Sequence, residues 1–309
     1  MSSVGSFTDF IQSRDAAGLH VYMTNERQLP SDHIERNNRA LFVACRDGAE
    51  EICEVLIRFG ANVNSAVDQQ THLYIACLNA HPVCVDLLLS HGVNVNAGDL
   101  NYGRTPLMAT ASRNSPVCLT LDQFIDNRGQ CMRSLLTAGA AIDQTDKDQW
   151  NALMYATWNF RLTEILVEAG ANVNILNITQ DSVLHIACGT IIVDVVELLL
   201  ARGADIDAVN VNGWTPLFCA CYFLYPVIVD LLLRYNANID IVTKSGQTTA
   251  LQLAISRPTS PIRVAVLQLM ASCAQTRLKA SSADWIRLTR NERRTQHLKY
   301  DELIRHFVL

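Results

Sequence analysis

Leucine-rich helical segments alternate with short polar segments along this chain, and the helical segments end in a recurring way. Six of them end in a Gly-x-x-Val/Ile-Asn/Asp phrase or a close variant of it. The phrases begin at positions that are 32, 47, 31, 33 and 33 residues apart, namely Gly60, Gly92, Gly139, Gly170, Gly203 and Asn236. A repeat of roughly 20 to 50 residues indicates stacked helical units, because one such unit cannot bury its apolar face alone.

A second phrase recurs in register with the first. It reads Thr-Pro-Leu at 105–107 and 215–217, and looser versions begin at Thr71 and Ser182. A Thr or Ser hydroxyl caps the first N–H groups of a helix, and Pro suits the first helical turn. Glycine or asparagine after the second helix favours the left-handed backbone that ends it. Each unit is therefore predicted to contain a short helix, a tight turn, a longer helix and an extended finger with a polar tip.

The two phrases together resemble the ankyrin repeat, over residues 37–275. The resemblance implies an all-α ankyrin-repeat solenoid of about seven helix-turn-helix units with β-hairpin fingers, followed by a short helical tail at 276–309. Residues 1–36 lack the repeat phrases and are predicted to form a degenerate N-terminal capping unit. The long third unit carries an insertion near 113–129, which we expect to pack as an extra turn or short helix and to serve either as a binding edge or as an inert loop.

Charge and hydropathy exclude several classes of partner. The net charge of -5 and a pI near 5.9 give no general attraction to nucleic acid. The first residues lack a basic segment followed by an apolar run, so no secretion signal is expected. The apolar stretch from Leu217 to Leu233 contains Pro226 and Asp230 in ordinary repeat register, so no membrane span is expected either. We predict an intracellular protein, cytoplasmic in preference to nuclear.

Ten cysteines raise the question of a metal site or disulfides. Four of them close the same Leu-x-x-Ala-Cys phrase in the first helices of their units, namely Cys45, Cys77, Cys188 and Cys221. The equivalent positions in other units hold Ala111, Thr157 and Ile255, and a second-helix column contains Cys84, Cys131, Val195 and Ile228. Free cysteine packs as a small apolar side chain. The pattern therefore favours reduced, metal-free core cysteines over a metal site or disulfides, and a reducing compartment.

Four common enzyme motifs are absent from the sequence. The sequence contains no phosphate-binding loop, dinucleotide fingerprint, zinc-peptidase helix or nucleophile elbow. His72 and His185 stand at helix starts, where ankyrin units commonly have a structural histidine that bonds to the backbone. We therefore predict a protein that is not an enzyme and has no cofactor and no metal.

The ankyrin resemblance also implies where a partner binds. In ankyrin arrays the groove is lined by finger residues just before the Thr-Pro-Leu phrase and by residues after the first helix. That register gives a predicted groove composed of Tyr102, Arg104, Trp150, Trp158, Trp214, Tyr222 and Phe223. These positions lie outside the apolar columns, which favours one exposed aromatic patch over core residues and predicts a protein client.

Four asparagines follow a leucine by six residues, namely Asn62, Asn94, Asn172 and Asn238. This spacing resembles that of ankyrin substrates of an iron-dependent asparaginyl hydroxylase, so the four are candidate hydroxylation sites. The simpler interpretation, that asparagine suits the finger turn, is favoured.

The tail resembles a degenerate SOCS box, the helical adaptor that follows ankyrin repeats in one protein family. Leu278, Ser282 and Ile286 match the spacing of the family's first helix, with Ser282 in place of its cysteine. A later segment that contains Leu298 and Phe307 resembles the end of the box, but the family's two prolines are missing. In that family the first helix binds elongin B/C and the later segment meets a cullin.

These observations give two hypotheses of different kinds. The first is a substrate-recognition adaptor of an elongin/cullin-type E3 ubiquitin ligase, which binds its target in the ankyrin groove. The alternative is an ankyrin scaffold or inhibitor, in which the tail acts only as a structural cap.

Overall fold

The computed structural model describes residues 7–25, 33–113, 120–244, 246, 248–256 and 261–279, with the backbone alone at 271 and 273–279. Contacts between residues divide the chain into two compact units, 1–172 and 173–309. Both units are built from antiparallel helix pairs joined by short loops and fingers. The all-α architecture of successive helix pairs predicted from the sequence is confirmed.

Ten helices lie in the described part of the first unit and six in that of the second. In the first unit they are α1 (Phe7–Gln12), α2 (Ala16–Asn25), α3 (His33–Asp47), α4 (Glu50–Arg58), α5 (His72–Leu78), α6 (Pro82–Ser90), α7 (Pro106–Ala111), α8 (Leu121–Thr137), α9 (Ala152–Ala156) and α10 (Phe160–Glu168). In the second unit they are α11 (Val183–Cys188), α12 (Val193–Ala201), α13 (Pro216–Phe223), α14 (Pro226–Arg234), α15 (Ala250–Ser256) and α16 (Pro261–Lys279).

Side-chain caps begin most of the short first helices. In α5, α7, α9 and α11 the residue before the helix accepts a hydrogen bond from the third helical N–H; these residues are Thr71, Thr105, Asn151 and Ser182. Thr215, at the same position before α13, makes no such side-chain bond. The predicted stops are present as well, because Gly60, Gly92 and the later phrase starts, including Asn236, all have positive φ.

The fingers are less regular than the predicted β-hairpins. Among the described residues, one finger forms a ladder, with β1 (Ala66–Val67) antiparallel to β2 (Gln70–Thr71). Isolated bridges join Leu176 to Ser182 and Val242 to Thr249. The remaining fingers close with two backbone bonds each, such as Asp146 N to Trp150 O at 2.9 Å and Gln149 N to Asp146 O at 3.0 Å.

In four of the fingers that lack a ladder, a buried Asp or Asn side chain provides hydrogen bonds to the backbone. The four residues are Asp99, Asp146, Asn177 and Asn210, and each side-chain oxygen accepts the backbone N–H two residues later at 2.8–3.0 Å. In the last three the same oxygen also accepts the N–H four residues later. Because the side chain satisfies these donors within the turn, the finger needs no long strand pairing.

The cysteine columns lie in the core. Cys45, Cys77, Cys188 and Cys221 are each 0% exposed. Cys84 and Cys131 are buried like Val195 and Ile228 in the same second-helix column. Ile255 departs from the prediction, since its side chain is 51% exposed. Within the described residues no further helix pair follows α15 and α16 to cover it.

The insertion lengthens a helix. Residues 120–129 form the cap and the first turns of α8, which is 17 residues long, whereas the second helices α4, α6, α10, α12 and α14 have nine each. Thr120 caps α8 by accepting from Gln123 N at 3.4 Å. Phe124 and Ile125 bury their side chains, whereas Leu121 is 64% exposed, so the packing of the whole insertion stays a prediction.

Side chains from later helices donate to the carboxyl end of α7. In a regular unit the turn after the first helix donates two backbone N–H groups, as Ala80 N does to Cys77 O and His81 N to Ala76 O. The residues in register in the third unit are Thr110 and Ala111, and the carbonyl oxygens of both accept side-chain donors. Arg128 Nη1 donates to Thr110 O at 2.6 Å.

Arg128 is fully buried in α8 and contacts two helix ends. Its guanidinium also donates to Ala109 O at 2.8 Å and to Leu78 O at 3.1 Å, and lies 4.3 Å from the ring centre of Phe124. Burial lowers its pKa to about 10. A cation at the carboxyl ends of α5 and α7 faces the negative ends of both helix dipoles, which favours the charged form despite burial.

Candidate functional site

In the first unit, two fingers and the helix α9 bring an arginine between aromatic rings. The Arg104 guanidinium carbon lies 4.9 Å from the ring centre of Tyr102 and 5.3 Å from that of Tyr155. The Trp150 ring packs against Tyr155 with centres 5.2 Å apart. Tyr102 is 55% exposed, and Arg104, Trp150 and Tyr155 are half-buried. The cluster is therefore accessible from solvent.

The buried carboxylate of Asp146 contacts three members of this cluster, namely Trp150, Tyr155 and Arg104. One carboxylate oxygen accepts the backbone N–H groups of Asp148 and Trp150, both at 2.9 Å. The other accepts the Tyr155 hydroxyl at 2.6 Å and lies 3.8 Å from Arg104 Nε. Burial, followed by the bond to Asp146, raises the pKa of Tyr155 well above its usual range. The tyrosine therefore stays a donor, and it fixes the position of the ring beside Arg104.

Trp158 has a structural bond of its own. Its half-buried indole donates from Nε1 to Ala111 O at 2.7 Å, at the carboxyl end of α7. The residue therefore combines a partly exposed ring with a role in holding α7. Sequence register alone placed it in the groove and did not indicate this bond.

In the second unit, aromatic rings form a continuous row along α13. The Trp214 ring stacks on Phe218 at 6.2 Å and contacts Tyr222 at 5.2 Å. Tyr222 contacts Phe223 at 5.1 Å, and Phe223 stacks on Tyr225 at 5.9 Å. Phe223 is 48% exposed, whereas Trp214 and Tyr222 are half-buried. The row runs from the finger to the turn that follows α13.

The structure thus brings together Tyr102, Arg104 and Trp150 in the first unit, and Trp214, Tyr222 and Phe223 in the second. That these sets form one binding surface stays a prediction. Sequence analysis missed Tyr155 and Asp146, which organise the first set. Tyr155 occupies the same register position as Ile75 in the second repeat, so extending the groove register by one helical position finds it.

The helix pairs and fingers described above match a known protein family. The family model for ankyrin repeats in three copies matches residues 21–99, 41–126, 121–210 and 184–276. The chain belongs to the ankyrin-repeat family. Ankyrin repeats are binding modules for other proteins and are in general not enzymes, so the predicted class of function is supported at this level.

Three known proteins that this ankyrin protein resembles show the range of the similarity. It is 29% identical over 188 residues to human "Ankyrin repeat and SOCS box protein 6", covering 56% of this chain and 41% of that one. It is 27% identical over 153 residues to mouse "Rabankyrin-5", covering 48% and 12%. The crystal structure of the human ASB11 ankyrin repeat domain superposes with a TM-score of 0.61 at 27% identity, over 74% of this chain and 96% of that one. The chain spans about two fifths of the length of the SOCS box relative.

The candidate hydroxylation sites lie in exposed ankyrin turns. Asn62, Asn94, Asn172 and Asn238 are all exposed. In three of them the side-chain oxygen accepts the backbone N–H two residues later, for example Asn62 Oδ1 from Asn64 N at 2.9 Å. These bonds support the turn interpretation, and hydroxylation stays a prediction.

The last ankyrin helix continues into the predicted tail. Helix α16 runs without a break from Pro261 to Lys279, so Leu278 lies on its last turn. The other predicted adaptor residues, namely Ser282, Ile286, Leu298 and Phe307, lie outside the described residues.

The buried cysteines and histidines contact other parts of the fold. Cys45 Sγ and Cys53 Sγ approach to 3.7 Å as free thiols, a pair that is eight residues apart in sequence. His72 Nε2 lies 2.9 Å from Asn38 O, and His185 Nε2 lies 2.9 Å from Trp214 O. Among the described residues, no three His, Cys, Asp or Glu side chains are grouped to hold a metal ion. None of the helices described is long and apolar enough to cross a membrane.

Proposed function

We propose that this ankyrin protein is a recognition subunit that binds a protein client and docks onto an elongin-containing ubiquitin ligase through its tail. The observation that carries the first part is the row of rings from Trp214 to Phe223. Aromatic side chains that stay partly exposed on a folded surface are typical anchors of protein interfaces. The first-unit cluster around Arg104 and Trp150 offers a second contact surface of the same kind.

The second part rests on the tail and on the relatives. Leu278, Ser282 and Ile286 match the spacing of the first SOCS box helix, and the relatives include proteins named for that box. Leu278 is the apolar anchor of the match. In the proposed complex, replacing Leu278 with Asp places a charge in the apolar pocket of the elongin partner. This costs several kcal/mol of binding free energy unless the charge is paired.

Co-expression with elongins B and C tests the ligase connection. We expect the wild-type chain to co-elute with both elongins on size exclusion, and Leu278→Asp to lose them while the helical circular dichroism is retained. Ser282→Cys restores the family residue and is expected to bind more tightly than wild type. The adaptor proposal is wrong if the wild type forms no complex or if Leu278→Asp binds equally well.

The alternative is a scaffold or inhibitor whose tail only caps the last repeat. One observation favours it: α16 passes through residue 276 as a continuous helix, as a cap would. Under this alternative, a chain that ends near Cys273 loses thermal stability while the full chain binds no elongin. The same co-expression experiment therefore separates the two functions.

A further inference from the structure

Arg104 stands out among the groove residues because its surroundings prepare it to bind an anion. The rings of Tyr102 and Tyr155 both pack against its guanidinium, with ring centres 4.9 and 5.3 Å from the guanidinium carbon. Its only carboxylate contact in the described residues is the 3.8 Å approach of Nε to Asp146. Asp146 already accepts hydrogen bonds from two backbone N–H groups and one hydroxyl.

The backbone of Arg104 is fixed as well. Arg104 O accepts from Asp99 N at 2.8 Å. Gly98 passes so close that a Cβ there would overlap the Arg104 carbonyl. A guanidinium held in this way loses little conformational freedom when it binds, and its planar fork matches a carboxylate with two parallel hydrogen bonds.

We infer that Arg104, between Tyr102 and Tyr155, binds an acidic side chain of the client, an aspartate or glutamate in an extended segment lying along the first-unit groove. This inference rests on the proposed function, since it names the chemistry that the client presents to the groove. Trp150, which packs on Tyr155, offers an apolar face beside the acid site. The recognised segment therefore has an apolar or aromatic residue near its acid.

A carboxylate suits the site better than a phosphate. Arg104 is a single guanidinium, and Asp146, 3.8 Å from its Nε, offsets part of its charge. The neighbouring cation, Lys147, donates from Nζ to the carbonyl oxygens of Leu100 and Asn101. Phosphorylated residues carry nearly two negative charges and are typically bound by several cations together.

Selection from a random peptide library displayed on phage tests the inference. We expect wild-type protein to enrich peptides with an Asp or Glu near an apolar residue. Changing that acid to Asn or Gln in a selected peptide is expected to weaken binding about tenfold or more. Arg104→Glu is expected to select basic residues at the same position, whereas Arg133→Glu, an exposed change on α8, selects the wild-type motif.

Two further variants keep the test independent of folding. Tyr102→Ala removes one ring wall without touching Asp146, and it is expected to weaken the selected peptides while thermal unfolding is unchanged. Arg104→Lys keeps the charge but loses the planar fork, and it is expected to bind more weakly than wild type.

The outcomes separate the inference from the proposed function. Wild-type selection of peptides without acidic enrichment, or tighter binding when phosphoserine replaces the acid, overturns the inference and leaves groove binding standing. Selection of no peptide at all by the wild type overturns both.

Discussion

Replacing Arg128 with methionine removes the buried cation that caps α7, and we expect this to lower the free energy of unfolding by about 2–4 kcal/mol. Methionine keeps much of the packing against Phe124. The carbonyl oxygens of Thr110 and Leu78, however, lose donors at 2.6 and 3.1 Å. Losing a donor to a buried carbonyl costs about 1–3 kcal/mol, so the two losses together cost about 2–6 kcal/mol.

Ala109 O adds nothing to that sum, because it keeps the Ser112 hydroxyl at 2.9 Å when the arginine is lost. A second feature reduces the sum. Burying the guanidinium is itself unfavourable, as its pKa of about 10 shows, and the methionine variant is relieved of that cost. The lower half of the range is therefore expected.

Urea unfolding followed by circular dichroism measures the change, with hydrogen exchange at residues 107–111 reporting on α7 directly. Arg133→Met, an exposed change on the same helix, is the control and should stay within about 0.5 kcal/mol of wild type. Arg128→Lys keeps a charge but not a fork that spans two helices, so an intermediate loss is expected. Unchanged stability in Arg128→Met would refute the assignment of Arg128 as the cap of α7.

Other substitutions and conditions test separate contacts. Trp158→Phe keeps a ring but removes the bond to Ala111 O, and thermal melting is expected to show a loss of about 1–2 kcal/mol; an unchanged melting temperature contradicts the structural role. Gly98→Ala forces a methyl group against the Arg104 carbonyl and should cost about 1–3 kcal/mol in urea unfolding, while a neutral result means that the finger relaxes easily. Stability should also fall as the pH drops below about 6.5, because burial lowers the pKa of three histidines and the unfolded chain then binds protons that the folded chain does not. These are His72, His81 and His185. Urea midpoints that stay flat from pH 7 to 5 would argue against neutral histidines in the folded state.

The sequence predicts local features of this fold well because they depend on local chemistry. Helix caps such as Thr71 and stops such as Gly60 follow from hydrogen-bond geometry and left-handed backbone, which a short phrase encodes. The cysteine columns were predictable for a related reason, since repeat register assigns Cys77 and Cys188 the same environment. Ile255 shows the limit, because burial at the end of an array depends on whether a neighbour covers it.

The buried arginine could not be predicted from its residue type. An arginine is normally solvent-exposed, and Arg128 is buried because its guanidinium donates to carbonyl oxygens at the carboxyl ends of α5 and α7, contacts that its residue type does not reveal. The bond from Trp158 to Ala111 O likewise joins residues 47 positions apart, so its residue type does not reveal it. The Arg104 cluster was predicted in part: register identified Arg104, Tyr102 and Trp150, while the support from Asp146 depends on contacts between successive fingers.

Affinity purification of three matched chains tests the central claim of two separate binding surfaces most directly. The chains are wild type, Leu278→Asp, and a double variant with Trp214→Ala and Phe223→Ala, compared by quantitative mass spectrometry. We expect elongins B and C to disappear only with Leu278→Asp, and a defined client to disappear only with the double variant, while all three chains melt at similar temperatures. Loss of both partners in either variant, or of neither in both, would contradict the account.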